Sequence, residues 1–299
     1  MVEKYTSKQV INTEKVRTMK TVIQKFPVKR LKKQVANWSV EPYRVSTSSL
    51  RPMPNFIIIG SQKGGTTSLY NYLTQHPSIK AAVNKEVHYF DVHFDKGNNW
   101  YRSRFPFCGQ DYITGEASPS YIFHPHAPKR IAELTPSVKL IALLRNPVDR
   151  AYSHYNHNLR KKRENLAFEV AIEKEGERLY DKLEKMLEDD KYFNAKYFHY
   201  AYLARGIYVD QLKKWFNFFS KEQILILSSE DFYADPAVTY SQVLDFLKLP
   251  QWELGEYKRF NGLDYQGMNG ATRKQLIDYF KPHNQRLYEL LGMSFDWDK

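Results

Sequence analysis

The chain has 299 residues, 42% of them hydrophobic and 15% aromatic, which suffices for one large folded domain and excludes disorder throughout. Lysine and arginine total 45 against 33 acidic residues, a formal net charge of +12 that favours anionic ligands or surfaces without choosing among them. The single cysteine, Cys108, rules out an internal disulfide and any cysteine-rich metal site, suits a reducing compartment, and reads as a small hydrophobe.

Taken in chain order, residues 1–50 form a basic arm. Glu3, Lys4, Lys8, Glu14, Lys15, Arg17 and Lys20 leave no room for the apolar core of a secretory signal, and no later apolar run reaches membrane-spanning length. A cytoplasmic location is expected. Residues 15–35 alternate Lys25, Lys29, Arg30, Lys32 and Lys33 with Phe26, Val28 and Leu31, a pattern open to a surface-docking helix or a solvated arm. The arm carries no assigned chemistry and ends near Pro52 and Pro54, so the domain is read as 51–299.

From Asn55 onward short apolar runs alternate with longer amphipathic ones. Strands are predicted at 56–59, 139–144 and 223–227, each followed by a helix, at 66–75, 148–160 and 236–247. Repeated strand then helix implies an α/β fold with a central parallel sheet flanked by helices in three layers. Two more helices are predicted at 206–219 and 272–291. Their stripes, Tyr208, Leu212, Trp215 and Phe216 on one and Leu276, Tyr279, Phe280, Leu287 and Leu290 on the other, read as core.

The first strand runs into Gly60-Ser-Gln-Lys63-Gly64-Gly65-Thr66-Thr67 and then a helix, an arrangement in which successive backbone N–H groups and the helix dipole cradle an anion. The spacing Gly60-x4-Gly65 copies the start of a P-loop, yet Thr66 stands where that motif requires lysine, and Lys63 sits inside the loop instead. A glycine turn serving packing alone is the rival reading. In an NTPase an acidic strand end holds the metal, whereas the strand at 139–144 ends in Arg145, which suits direct phosphate binding.

Arg145-Asn-Pro147 starts the next helix, with Pro147 suited to its first turn, and ligands of open parallel sheets gather at that edge. Arg145 offers a planar donor fork to a phosphate, and Ser153, two turns on, a hydroxyl; an Arg145–Asp149 structural bridge is the alternative. His88, Asp91 and His93 invite a metal reading, but HxxDxH lacks the spacing of zinc or non-haem iron sites, so no metal is assigned.

Together, Lys63-Gly-Gly-Thr-Thr67, Lys85-Glu86-Val-His88-Tyr-Phe90, Gly115-Glu-Ala-Ser-Pro-Ser-Tyr121 and Arg145 to Ser153 resemble the family of sulfotransferases that use 3′-phosphoadenosine 5′-phosphosulfate (PAPS). The resemblance is closest to its heparan-sulfate-type branch and bacterial relatives. It runs from Asn55 to the carboxyl terminus through Gly206-Ile-Tyr-Val-Asp-Gln-Leu212 and Gly292-Met-Ser-Phe-Asp-Trp297.

It implies a P-loop-like fold and sulfuryl transfer to an acceptor hydroxyl by in-line attack. Lys63, Gly64, Gly65, Thr66 and Thr67 would hold the 5′-phosphosulfate, Arg145 and Ser153 the 3′-phosphate, and the loop from Gly267 to Arg273 would close over the nucleotide. Glu86 stands at the base position, a role it can fill if burial raises its pKa or the acceptor proton leaves late, and Lys63 would stabilise charge on the bridging oxygen. His88 matches an active-site histidine that orients the acceptor or shares the proton, or is simply a satisfied neighbour of Tyr89 and Phe90.

The resemblance also has a departure: relatives acting on heparan sulfate have lysine where this chain has Ala117, which argues against a polysulfated acceptor. A small molecule, a glycan and a carrier-bound hydroxyl all stay open, with no nucleic-acid partner expected and the oligomeric state unassigned. The charged, aromatic stretch between Leu159 and Arg205 lies where relatives build acceptor contacts or a lid, and reads equally as a solvated face. Two other classes remain: a P-loop-type small-molecule kinase, which would need a metal and the lysine missing at Thr66, and a basic anion- or RNA-binding module, for which no RNA-binding signature is present.

Overall fold

A computed structural model describes residues 40–109, 111–258, 260 and 266–298. Contacts divide the chain into two units, 1–46 and 47–299, and the sheet, its helices and the candidate site all belong to the second. The basic arm, with its candidate helix at 15–35, falls largely outside the described residues.

Five strands, β1 (Phe56–Gly60), β2 (Ile79–Ala81), β3 (Ile113–Ala117), β4 (Lys139–Leu144) and β5 (Ile224–Ser228), make one parallel sheet in the order β2-β3-β1-β4-β5. The apolar runs predict β1, β4 and β5. They miss β2, a three-residue edge strand with two exposed residues, and β3, whose Ile-Thr-Gly-Glu-Ala is buried without being apolar. Around the sheet lie α1 (Thr66–Leu73), α2 (Gly97–Arg102), α3 (Ala127–Leu134), α4 (Pro147–Arg160), α5 (Tyr208–Phe216), α6 (Pro236–Leu247) and α7 (Gly270–Leu291), with short helices between 168 and 200 and at Ser229–Ala234.

Side chains alternate across a strand, so each strand feeds both layers. Ile57, Ile59, Leu140, Ala142 and Leu144 face one core with Ile131 of α3, Tyr208, Leu212 and Trp215 of α5, and Leu287 of α7. Phe56, Ile58, Ile141 and Leu143 face the other, with Leu69 and Leu73 of α1 and Val243 and Leu244 of α6. The predicted stripes of α5 and α7 are core as expected, except that Tyr279 is 41% exposed. Cys108, read as a small hydrophobe, is exposed.

A third cluster joins α4 to α7 and to the charged stretch through Tyr155, Phe168, Tyr202, Leu276 and Phe280. That stretch is pinned rather than loosely solvated: buried Glu164 accepts from Arg178 at 2.6 and 3.1 Å and from the Tyr202 hydroxyl at 3.0 Å, while Tyr197 and Phe198 are buried beside Met186. Among the described residues, no helix is long and apolar enough to cross a membrane.

The sheet's carboxyl edge is where β1 and β4 deliver their loops side by side. Leu143 carbonyl accepts both the N–H and the hydroxyl of Ser61, each at 2.8 Å, clamping the glycine loop onto the end of β4. Gly64 lies so close that a Cβ there would sit 2.5 Å from the same carbonyl oxygen. Because that neighbour is backbone, it has little room to give. Gly64→Ala is expected to cost about 1–3 kcal/mol, read as a lower denaturation midpoint at unchanged slope.

Candidate active site

The loop between β1 and α1 is built for an anion. Gly65 takes φ 102° and Lys63 φ 75°, the left-handed region that a lysine enters only at a conformational cost. This turns the chain so that α1 starts at Thr66 with leading N–H groups that have no partner inside the helix. Across the loop, the Thr67 hydroxyl accepts from Lys85 Nζ at 3.0 Å.

Arg145, leaving the end of β4, donates from Nη1 to the Lys63 carbonyl at 3.2 Å and is braced by the Tyr208 hydroxyl on its own carbonyl at 2.9 Å. The Asn146 side chain caps α4 by accepting from the N–H groups of Val148 and Asp149, and Pro147 holds its first position. Ser153 follows on the same helix, buried.

Around Lys63 gathers a group of cations. Burial and the charges of Arg145, Arg160 and Arg150 pull the Lys63 ammonium down to about 8. Arg150 is fully buried and donates to the Tyr202 carbonyl, leaving Nε and Nη1 without a partner. Arg205, 4% exposed, donates to the Gln62 side chain and stacks near Phe123, with Nε unpartnered; burial and Arg150 pull it down to about 9. Among the described residues, no carboxylate forms an ion pair with Lys63, Arg145, Arg150 or Arg205. Buried cations without counter-charge are expensive, so this arrangement suits a ligand carrying several negative charges.

Opposite stands an acidic turn. Glu86 accepts from Lys85 at 2.8 Å and from His88 Nε2 at 3.2 Å, while His88 Nδ1 faces Asp91 at 3.0 Å. Burial opposes charge on Glu86, but the bond from His88 and the Lys85 charge outweigh it and hold its carboxyl at about 2. Of the two conditions under which Glu86 can serve as base, a pKa raised by burial is therefore not met, which leaves late departure of the acceptor proton: its carboxylate is paired and 41% exposed. Burial likewise opposes charge on His88, yet the bonds to Asp91 and Glu86 push it up to about 10. His88 thus rests as an imidazolium between two carboxylates, and His93 instead lies edge-on to Trp100 with ring centroids 5.3 Å apart.

The structure brings Lys63, Gly64, Gly65, Thr66, Thr67 and Arg145 together in one cradle, and sets Glu86 beside it through Lys85. Arg273 differs from expectation. It lies in the first turn of α7 rather than in a loop and pairs with Asp149 at 2.6 Å, since Asn269 caps α7 and starts the helix at Gly270. That pair also replaces the Arg145–Asp149 bridge considered from sequence.

The sequence reading left Arg150 and Arg205 without a role and weighed Asp91 only as a metal ligand, not as the partner of His88. Asp91 had a signal in its spacing of three from His88; the arginines, from α4 and from the turn before α5, had none. Ala117 is fully buried, so no cation projects from that position.

The family described as sulfotransferase domain matches residues 53–269. A membrane-associated sulfotransferase, kil1, of Dictyostelium discoideum is 31% identical over 313 residues, covering 82% of this chain and 66% of the relative. Human heparan sulfate glucosamine 3-O-sulfotransferase 3B1 is 30% identical, covering 85% of this chain and 67% of its own length. The chain therefore spans about two thirds of these relatives. A sulfotransferase from Alicyclobacillus acidocaldarius, 28% identical, superposes with a TM-score of 0.71 over 83% of this chain and 100% of that one. None of these relatives is a kinase or an RNA-binding protein.

The raised pKa of His88 means that its pairing stabilises the folded chain fully below about pH 6.5 and that this contribution is lost as pH rises through about 10. Asp91→Asn removes the nearer carboxylate. The His88 imidazole is then expected to titrate at least about one unit lower, followed by NMR of labelled histidine; an unmoved titration would remove Asp91 as the cause.

Proposed function

The chain belongs to the sulfotransferase family and carries its sulfuryl-transfer domain, and we propose that it draws the sulfuryl group from PAPS and delivers it to a carbohydrate hydroxyl. The observation that carries the donor assignment is the set of cations at the glycine loop, Lys63, Arg145, Arg150 and Arg205, with no carboxylate among the described residues paired to them. PAPS fits this set: it carries a 3′-phosphate and a 5′-phosphosulfate, the loop leaves no room for a Cβ at Gly64, and β4 runs out into Arg145 rather than into a metal-holding carboxylate.

When bound, PAPS supplies an electrophilic sulfur whose bond to the bridging phosphate oxygen breaks as the acceptor oxygen bonds to it. The residues from Lys63 to Thr67 hold the 5′ end through backbone N–H groups and hydroxyls. Arg145, with its guanidinium fork over the loop, and Ser153 hold the 3′-phosphate. Lys63 sets its ammonium against the charge that grows on the leaving oxygen.

Glu86 accepts the acceptor's proton at a carboxylate oxygen. A carboxylate held at about 2 is a weak base, so the proton leaves late, when the acceptor oxygen has already lost electron density. His88 and Lys85 fix the carboxylate's direction.

The acceptor reading draws on the relatives' names and on Ala117. Heparan sulfate is the substrate named for one relative, and the missing cation lowers the demand for sulfate on the acceptor. An unsulfated glucosamine–uronic acid polysaccharide is expected to accept sulfuryl groups at least as well as its N-sulfated form, whereas p-nitrophenol serving as the better acceptor would overturn the carbohydrate assignment.

Calorimetry in EDTA tests the donor. Adenosine 3′,5′-bisphosphate (PAP) is expected to bind without metal and at least about tenfold more tightly than ADP, a preference lost in Arg145→Ala; equal affinity for ADP would sink it. Because bound phosphates restore the Lys63 pKa, binding at about pH 8.5 is expected to take up a proton, seen as a dependence of heat on buffer ionisation enthalpy. Glu86→Gln should cut transfer by at least about 100-fold while sparing PAP binding, and near-normal turnover would remove Glu86 as the base.

A further inference from the structure

Three consecutive backbone N–H groups of the acidic turn are held from one buried point. Val87 N–H donates to Glu116 Oε2 at 3.1 Å. His88 N–H donates to the Ser118 hydroxyl at 3.1 Å, and that hydroxyl donates to the same carboxylate oxygen at 2.6 Å. Tyr89 N–H donates to the Tyr121 hydroxyl at 2.8 Å, which in turn donates to Glu116 Oε1 at 3.1 Å. The Tyr101 hydroxyl, from α2, fills the remaining place at 2.8 Å.

Every group facing this carboxylate is a donor. An ionised carboxylate is acceptor-only and matches four donors, whereas an amide would turn its own N–H pair against one side of the ring of donors. Glu116 is 0% exposed and on β3, so it reaches no acceptor itself. Its titratable neighbours are Tyr70 of α1, Tyr101 of α2, Tyr121 and the imidazolium of His88; among the described residues no cation pairs with it directly. Burial pushes its pKa up to about 7, against the pull of Ser118, Tyr101 and the Val87 N–H.

What this point holds is the part of the turn least able to hold itself. His88 sits at φ 54°, in the left-handed region, a state a non-glycine residue keeps only when its surroundings fix it. The side chains of Glu86 and His88 flank Val87, so the path of three peptide groups decides where both point.

We propose that Glu116 is a positioning residue, which through Ser118 and Tyr121 fixes the backbone of Val87, His88 and Tyr89 and so aims the Glu86 carboxylate and the His88 imidazole. Its catalytic meaning rests on the proposed roles of Glu86 and His88 in sulfuryl transfer; its structural content does not.

Amide hydrogen exchange on the full chain without nucleotide separates the two. In Glu116→Gln, exchange at Val87, His88 and Tyr89 is expected to quicken by at least about tenfold, while Ile57, Ile58 and the amides of β4 keep their rates. Ser118→Ala should release His88 alone, and Tyr121→Phe should release Tyr89, with Phe90 following because its N–H shares that hydroxyl at 3.4 Å. PAP affinity should stay within about twofold of the parent, with sulfuryl transfer to the unsulfated polysaccharide lowered in rate more than in KM. Unchanged turn amides in Glu116→Gln, or quickening spread evenly over β1, β4 and the turn, would overturn the proposal. Should Glu116→Gln fail to fold, unchanged His88 and Tyr89 amides in the other two variants would overturn it equally. Because exchange needs neither donor nor acceptor, it decides on Glu116 even if no transfer is found.

Discussion

The site depends on a single carbonyl. Leu143, one residue before the end of β4, accepts from both the backbone and the hydroxyl of Ser61, so the loop after β1 cannot move without breaking two bonds to its neighbouring strand. That clamp sets Lys63 and Arg145 at a fixed separation and leaves space beside the carbonyl that only glycine tolerates at position 64. Parallel strands place such loops at one edge as a matter of topology; here one shared acceptor also fixes their register.

On this rigid base the molecule sets two unlike environments. One side is short of negative charge, with arginines of α4 and of the turn before α5 buried around the lysine. The other is an alternating chain, Lys85, Glu86, His88 and Asp91, in which each charge has a partner. The Lys85 ammonium touches both, bonding Thr67 at the cradle and Glu86 on the turn. Cradle and turn are therefore linked twice, through one flexible side chain and through the sheet, where β3 holds the turn by Glu116 and pairs with β1.

How much of this was legible in the sequence depends on how local each feature is. The glycine loop, β4 with Arg145, and the helices at 147–160 and 236–247 are written in contiguous residues, and the structure has them within one residue of the reading. β3 was illegible because its glycine and glutamate are buried for packing and hydrogen bonding, not for hydrophobicity. Arg150 and Arg205 are ordinary arginines in sequence and become part of the site only through the packing of α4 and α5. The direction of the Glu86 shift was left open in the sequence because burial is only one of its influences, and the pairings with His88 and Lys85, two residues and one residue away, prevail over it.

The cation excess at the loop also bears on what ends each cycle. With PAPS as the proposed donor, the sulfuryl group would depart with the acceptor while both phosphate groups of the nucleotide stay behind and keep most of the charge that the arginines and Lys63 lack. The spent nucleotide would then be held nearly as firmly as the fresh one. On that proposal product escape would govern turnover, and the free bisphosphate would act as a competitive brake on the protein that released it.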